Sequence, residues 1–308
     1  MVETNLPQPP LLKRVFISSQ EKRLRAGWRL LIQTALLIFF SIFFGLPVAL
    51  LGWVLPGFEL SLTISQIVEV IAITLSVFLA RRWLDRRSIV SLGLHFGRHV
   101  LREILIGILM TFVIFGFTYT ILSIAGWVHF EGFAWQSMSS SHIAKEILWS
   151  FLLFTLVGWN EELLSRGYHL QTLASGLNLT WGAILSSAIF GLLHLGNPNA
   201  TWASAAGIFF AGLFLAYAYI RTKQLWLSIG LHIGWNFFEG PIFGFPVSGL
   251  DTFRLMKITV SGPELWTGGA FGPEAGLVIL PALALGAVLI YLYTRPTLAI
   301  QPENEISS

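Results

Sequence analysis

Residues 147–167, Ile147-Leu148-Trp149-Ser150-Phe151-Leu152-Leu153-Phe154-Thr155-Leu156-Val157-Gly158-Trp159-Asn160-Glu161-Glu162-Leu163-Leu164-Ser165-Arg166-Gly167, decide how this chain folds. The stretch opens as an apolar run and then places two glutamates and an arginine in its continuation. A helix ending at Asn160 would leave those charges in water, where they need no explanation. A helix running on to about residue 174 would bury them in an apolar span, where each ionisable group costs roughly 2.5–3.5 kcal/mol and calls for a function. Helical spacing suits the longer reading. Glu162 and Arg166 are four apart on one face and can pair, while Glu161 projects about 100° away, free of the arginine.

The rest of the chain puts that stretch in lipid. Of 308 residues, 55% are hydrophobic and 11% charged, and the mean hydropathy is +0.72. Soluble domains carry charge at about 25% of positions, so this composition cannot cover a soluble surface. In lipid only helices and closed barrels satisfy the backbone. The apolar runs are long and do not alternate with period two, which excludes the barrel. The expected fold is therefore all-α: a polytopic transmembrane helix bundle of about eight spans. They fall at about 28–52, 62–80, 103–126, 145–174, 179–195, 202–220, 225–243 and 276–294. The first is too long for a cleaved signal peptide and reads as a signal anchor containing Pro47. The absence of cysteine excludes disulfides, thiolate metal sites and a cysteine nucleophile.

Orientation follows from the basic residues. With both termini cytoplasmic, 16 of the 19 Lys and Arg fall on the inner side, and Lys145, Arg254 and Lys257 fall outside. The clusters at 13–29 and 81–102 then read as juxtamembrane anchors on the lipid bilayer, and no nucleic acid is needed to explain a pI near 9.3. The expected organisation is a basic cytoplasmic segment at 1–29 with a mobile, proline-rich start (Pro7, Pro9, Pro10), one integral, multi-pass membrane domain at 30–295 with a catalytic core at about 145–240, and a cytoplasmic tail at 296–308. The loop 244–275, rich in Gly and Pro, is expected to tolerate change with little loss of chemistry.

Two more spans carry polar stripes. Phe190 and His194 share a face of the fifth, and His232 and Asn236 share a face of the seventh. Measured from an inner surface near 173–178, Glu161 lies roughly 18 Å deep, His194 roughly 20–24 Å, and His232 and Asn236 roughly 10–17 Å, so the levels overlap. Glu69 is expected to face the bundle and pair locally, and His169 to lie at the interface. A carboxylate in such a place suits a general base acting on water. On this reading Glu161 takes the proton, His194 helps hold the water, and His232 with Asn236 donates to the oxyanion of a peptide tetrahedral intermediate. Glu161, His194 and His232 equally suit a divalent metal such as zinc with an open position. The residues leave both routes open.

At these positions the chain resembles the CPBP family, the intramembrane CAAX prenyl endopeptidases type II and their prokaryotic relatives linked to bacteriocin immunity. The resemblance rests on Glu161-Glu162-x-x-x-Arg166, Phe190-x-x-x-His194 and His232-x-x-x-Asn236, in that order on successive spans, and covers about 145–240. It implies a membrane-embedded endopeptidase with Glu161 as water-activating base, Glu162 and Arg166 in support, and His194, His232 and Asn236 at the water and oxyanion. It also implies a membrane-associated, lipidated protein or peptide as substrate. The alternative is a scaffold or bacteriocin-immunity protein that keeps the fold without catalysis.

Overall fold

A computed structural model of the chain describes residues 10–55 and 61–298. Helices form at all eight expected places: α1 (Ala26–Val54), α2 (Leu62–Leu79), α3 (His99–Ile124), α4 (Ser140–Glu162), α5 (Leu179–Leu193), α6 (Trp202–Thr222), α7 (Trp226–Phe237) and α8 (Ile279–Leu298). Among the described residues, six helical stretches are long and apolar enough to cross a membrane: 26–54, 62–84, 99–124, 140–176, 179–196 and 202–222. The apolar parts of the other two expected spans fall short of that length. These are α7, which continues as π turns over Phe238–Ile242, and the apolar stretch Ile279–Arg295 of α8. The reason for α7 is visible in its packing. It is buried from Trp226 through Asn236 and lies against α3, α4 and α6, so its surroundings are protein and no full match to lipid is required.

The helical path of α4 does not stop at the glutamates. It runs without a break to Gly176, first through wider π turns at Leu163–Leu170 and then as α-helix from Gln171. Asn178 then turns the chain, its side chain accepting from the Trp181 amide at 3.0 Å as the N-cap of α5. Glu161 stands 16 residues before Leu177 and His194 stands 16 after Asn178. Two antiparallel arms of about 24 Å therefore bring both residues to one level.

Helices α3 and α7 cross in close contact. A Cβ on Gly107 would lie 2.7 Å from the carbonyl carbon of Gly230, and one on Gly230 would lie 2.7 Å from the Ile104 Cα. Small residues let the backbones meet in this way. Met110, Ile114, Phe115, Phe214, Leu231 and Trp235 fill the core beside this crossing.

Two features depart from the all-α, simple-loop expectation. Strands β1 (Val128–Phe133) and β2 (Met256–Val260) pair antiparallel, with Val128 opposite Val260 and a bulge between Phe130 and Gly132. They are short and far apart in the chain, and no local turn announces them. The basic stretch before α1 is also ordered where it is described. Arg29 Nη1 reaches Asp85 Oδ1 at 2.6 Å, Arg81 Nη1 reaches Asp85 Oδ2 at 3.0 Å, and Arg23 Nη1 donates to the Asp85 carbonyl oxygen at 2.6 Å. Several arginines expected to be anchors are therefore structural clamps. Pro7 and Pro9 of the expected mobile start, and most of the 296–308 tail, lie outside the described residues.

Candidate active site

The site is built where α4, α5 and α7 meet. Both oxygens of the Glu161 carboxylate belong to a side chain 31% exposed, and His194 Nε2 and His232 Nε2 approach its Oε2 at 3.7 and 3.5 Å. These separations exceed direct hydrogen bonds and suit an atom held between the groups. Glu161 Oε2 itself is buried without a hydrogen-bond partner.

The two imidazoles are fixed from behind. His194 Nδ1 lies 2.8 Å from the Phe190 carbonyl oxygen, and His232 Nδ1 lies 2.8 Å from Glu162 Oε1. A carbonyl and an ionised carboxylate only accept, so Nδ1 carries a proton in each ring and Nε2 is turned to Glu161. Glu162 is fully buried and paired with Arg166, whose Nη1 donates to Oε1 at 2.7 Å. Arg166 Nη2 donates to the Gly212 carbonyl oxygen at 2.9 Å, and its guanidinium stacks over the Phe190 ring, 4.5 Å from the centroid. Phe190 also packs edge-on against His194 and His232, with centroids 4.6 and 6.1 Å away. Every sequence-selected residue is thus present in one cluster. Asn236, one turn beyond His232, is buried on the wall of the same cavity.

That cavity has a volume of about 420 Å³. One wall is apolar and comes from Leu37, Leu62 and Ile73 of α1 and α2, facing Leu193. Three polar contributions were not selected from the sequence. Gln66 and Glu69 enter from α2, with Gln66 Nε2 donating to Glu69 Oε2 at 3.0 Å and Asn160 Nδ2 donating to Gln66 Oε1 at 3.3 Å. Glu69 does pair locally, as expected, but opens on the cavity. Glu274, from the loop expected to tolerate change, accepts from Trp235 Nε1 at 2.8 Å and from the Ser248 amide at 2.8 Å and hydroxyl at 2.6 Å. Burial pushes the Glu274 carboxyl above the ordinary carboxylate range, against the hydrogen bonds from Ser248 and Trp235. The loop is therefore part of the site's roof. No helical period could have flagged it. His169, expected at the interface, is buried, as is every residue of the π turns Leu163–Leu170.

If a metal bound here, Glu161 Oε2 and the two Nε2 atoms would be its donors. Among the described residues, however, no three or more His, Asp or Glu side chains are arranged to hold a metal ion.

Residues 143–238 match a family model described as Type II CAAX prenyl endopeptidase Rce1-like. No curated protein matches the chain. The matched stretch starts within α4, ends just beyond α7, and contains the whole glutamate–histidine–asparagine cluster. Over residues 143–238 the chain is thus similar to the Rce1-like type II CAAX prenyl endopeptidases, as the motifs led us to expect.

Proposed function

We propose that the protein is an intramembrane endopeptidase that hydrolyses a peptide bond with water activated by Glu161. The observation that carries this reading is the convergence of Glu161 Oε2 with two histidine Nε2 atoms at 3.5 and 3.7 Å, each ring tied down through Nδ1. A water between them gives one hydrogen bond to Glu161 and one to the lone pair of His194. It adds to the scissile carbonyl carbon as its proton passes to Glu161. His232, which lies between a carboxylate at each ring nitrogen and carries a proton on both, donates from Nε2 to the oxyanion, with the Asn236 amide as second donor. When the tetrahedral intermediate collapses, the C–N bond breaks and Glu161 returns the proton to the leaving nitrogen. The products are a carboxylic acid and an amine, and Glu161 is regenerated.

Glu162 and Arg166 position His232 and do not touch the substrate. The apolar wall of Leu37, Leu62 and Leu193 suits a lipid tail, which supports a membrane-associated, lipidated peptide as substrate. The charge asymmetry along the chain supports cytoplasmic termini and a single membrane domain around a core at 145–240. The test is incubation of the purified protein with a panel of prenylated peptides, read by mass spectrometry. A single internal cut, absent with boiled protein, supports the reading. An intact panel, with cellular function surviving loss of Glu161, favours the non-catalytic scaffold or immunity role.

A further inference from the structure

The side chains lining the cavity include three carboxylates, Glu69, Glu161 and Glu274, and no Lys or Arg. Glu274 is satisfied by three donors and Glu161 faces two imidazoles. Glu69 differs. It sits in the apolar helix α2, is exposed, opens on the cavity, and has no ion-pair partner among the described residues. Its charge also lies close enough to that of Glu161 for the two to repel. A charge in such a helix is expected to face a partner or a wet cavity.

The carboxylate is not adrift. A chain of hydrogen bonds from Asn160 Nδ2 to Gln66 Oε1, and from Gln66 Nε2 to Glu69 Oε2, ties it to the residue next to Glu161. Asn236, 6% exposed and without a side-chain hydrogen bond among the described residues, faces the same space from α7. The cavity therefore offers a peptide a carboxylate that has no ion-pair partner among the described residues, near the water-activating group, and no lysine or arginine to bind an acidic one.

We propose that Glu69 forms a cation subsite, so that the preferred substrate is a lipidated peptide with a lysine or arginine flanking the scissile bond. This rests on the peptidase reading, and it makes Glu69 a specificity-determining residue, with Gln66 holding its carboxylate in place. A substrate cation between Glu69 and the bulk of the cavity would gain a charge-assisted hydrogen bond.

The test uses prenylated peptides identical except for Lys, Gln or Glu scanned through the positions flanking the cut. They are given to wild type, Glu69→Gln and Glu69→Lys, with melting curves checking that each variant is folded. At one position the wild type should favour Lys over Glu in kcat/KM by about tenfold or more. The ratio should fall toward one in Glu69→Gln and invert in Glu69→Lys. The near-isosteric Gln variant decides alone if the Lys variant does not fold. A Lys preference unchanged in Glu69→Gln, or cleavage without charge preference at any position, overturns the proposal while leaving the peptidase reading intact. Binding of the same peptides to Glu161→Gln protein, followed by tryptophan fluorescence, separates the two claims. Charge-dependent binding lost in the Glu69→Gln, Glu161→Gln double variant, with no cleavage by wild type, supports the subsite and overturns the peptidase. Neither binding nor cleavage of any peptide overturns both.

Discussion

Glu162 holds His232 through the same Oε1 atom that accepts from Arg166, at 2.8 and 2.7 Å. One buried oxygen thus joins the ion pair of α4 to the imidazole of α7, and the pair cannot be broken without releasing the ring. Replacing Arg166 with Leu strands a fully buried carboxylate. Breaking such a pair costs about 3–5 kcal/mol. The expected result is a markedly lower melting temperature in detergent together with reduced turnover. A further Glu162→Gln change should recover part of the stability, because the uncompensated charge is gone, but not the turnover. Wild-type melting of Arg166→Leu would contradict the pairing.

Asn236 has no other structural duty visible at its side chain, so its replacement separates chemistry from folding. Asn236→Leu should lower kcat by about 10²–10³-fold, the usual loss for one oxyanion donor. KM and melting temperature should change little. A loss confined to KM would place Asn236 in substrate binding instead.

The crossing of α3 over α7 sets the height of His232 two residues further on. A methyl on Gly230 would run into the Ile104 backbone. Gly230→Ala should push α7 aside and lower turnover by about 10²-fold, the scale of a 1 Å misplacement of a catalytic group. Turnover equal to wild type in a folded Gly230→Ala protein would show that the crossing does not position the site.

Glu274 revises the expectation that loop 244–275 is dispensable. Glu274→Leu leaves the Trp235 indole and both Ser248 donors without their acceptor. Each buried unsatisfied group costs about 1–3 kcal/mol. Lower stability, and faster proteolysis within 244–275 by mass spectrometry, are expected. Unchanged protection of that loop would return it to the dispensable class.

Glu21 gives a pH signature away from the membrane. Its hydrogen bond from Arg23 holds its carboxyl below the ordinary value of 4.5, with the Arg29 charge adding to the effect against the cost of burial. A folded pKa below the unfolded one means stability that is present above the unfolded value and lost as pH falls through the folded one. Melting temperature should drop as the solution is acidified below about pH 4.5, and part of that drop should vanish in Glu21→Gln. An identical pH slope in the variant would contradict it.

How much of this could be read from residues alone follows from period and spacing. Glu162 with Arg166, Phe190 with His194, and His232 with Asn236 are each four apart, and that interval carried both the pairing and the shared faces. The helical continuation to Gly176, on which the depth argument depended, also holds. What stayed hidden has no periodic signature. The β1–β2 pairing joins Val128 to Val260, far apart in the chain. Glu274 lies in a Gly- and Pro-rich loop whose path only tertiary packing fixes. Hydropathy reports how apolar a segment is, not what surrounds it, so the fully enclosed α7 looked like one more lipid-facing span. His169 is buried because the whole turn Leu163–Leu170 is enclosed by protein, which its place near the end of a span did not show.

The central claim is that Glu161 is the base that activates water. It is tested most directly by following cleavage of one prenylated peptide by wild type and by Glu161→Ala, each with and without a metal chelator. Wild type should cleave equally with and without the chelator, and a folded Glu161→Ala should not cleave. Cleavage that persists in Glu161→Ala would contradict the claim outright, and cleavage abolished by the chelator in wild type would replace the direct base with a metal.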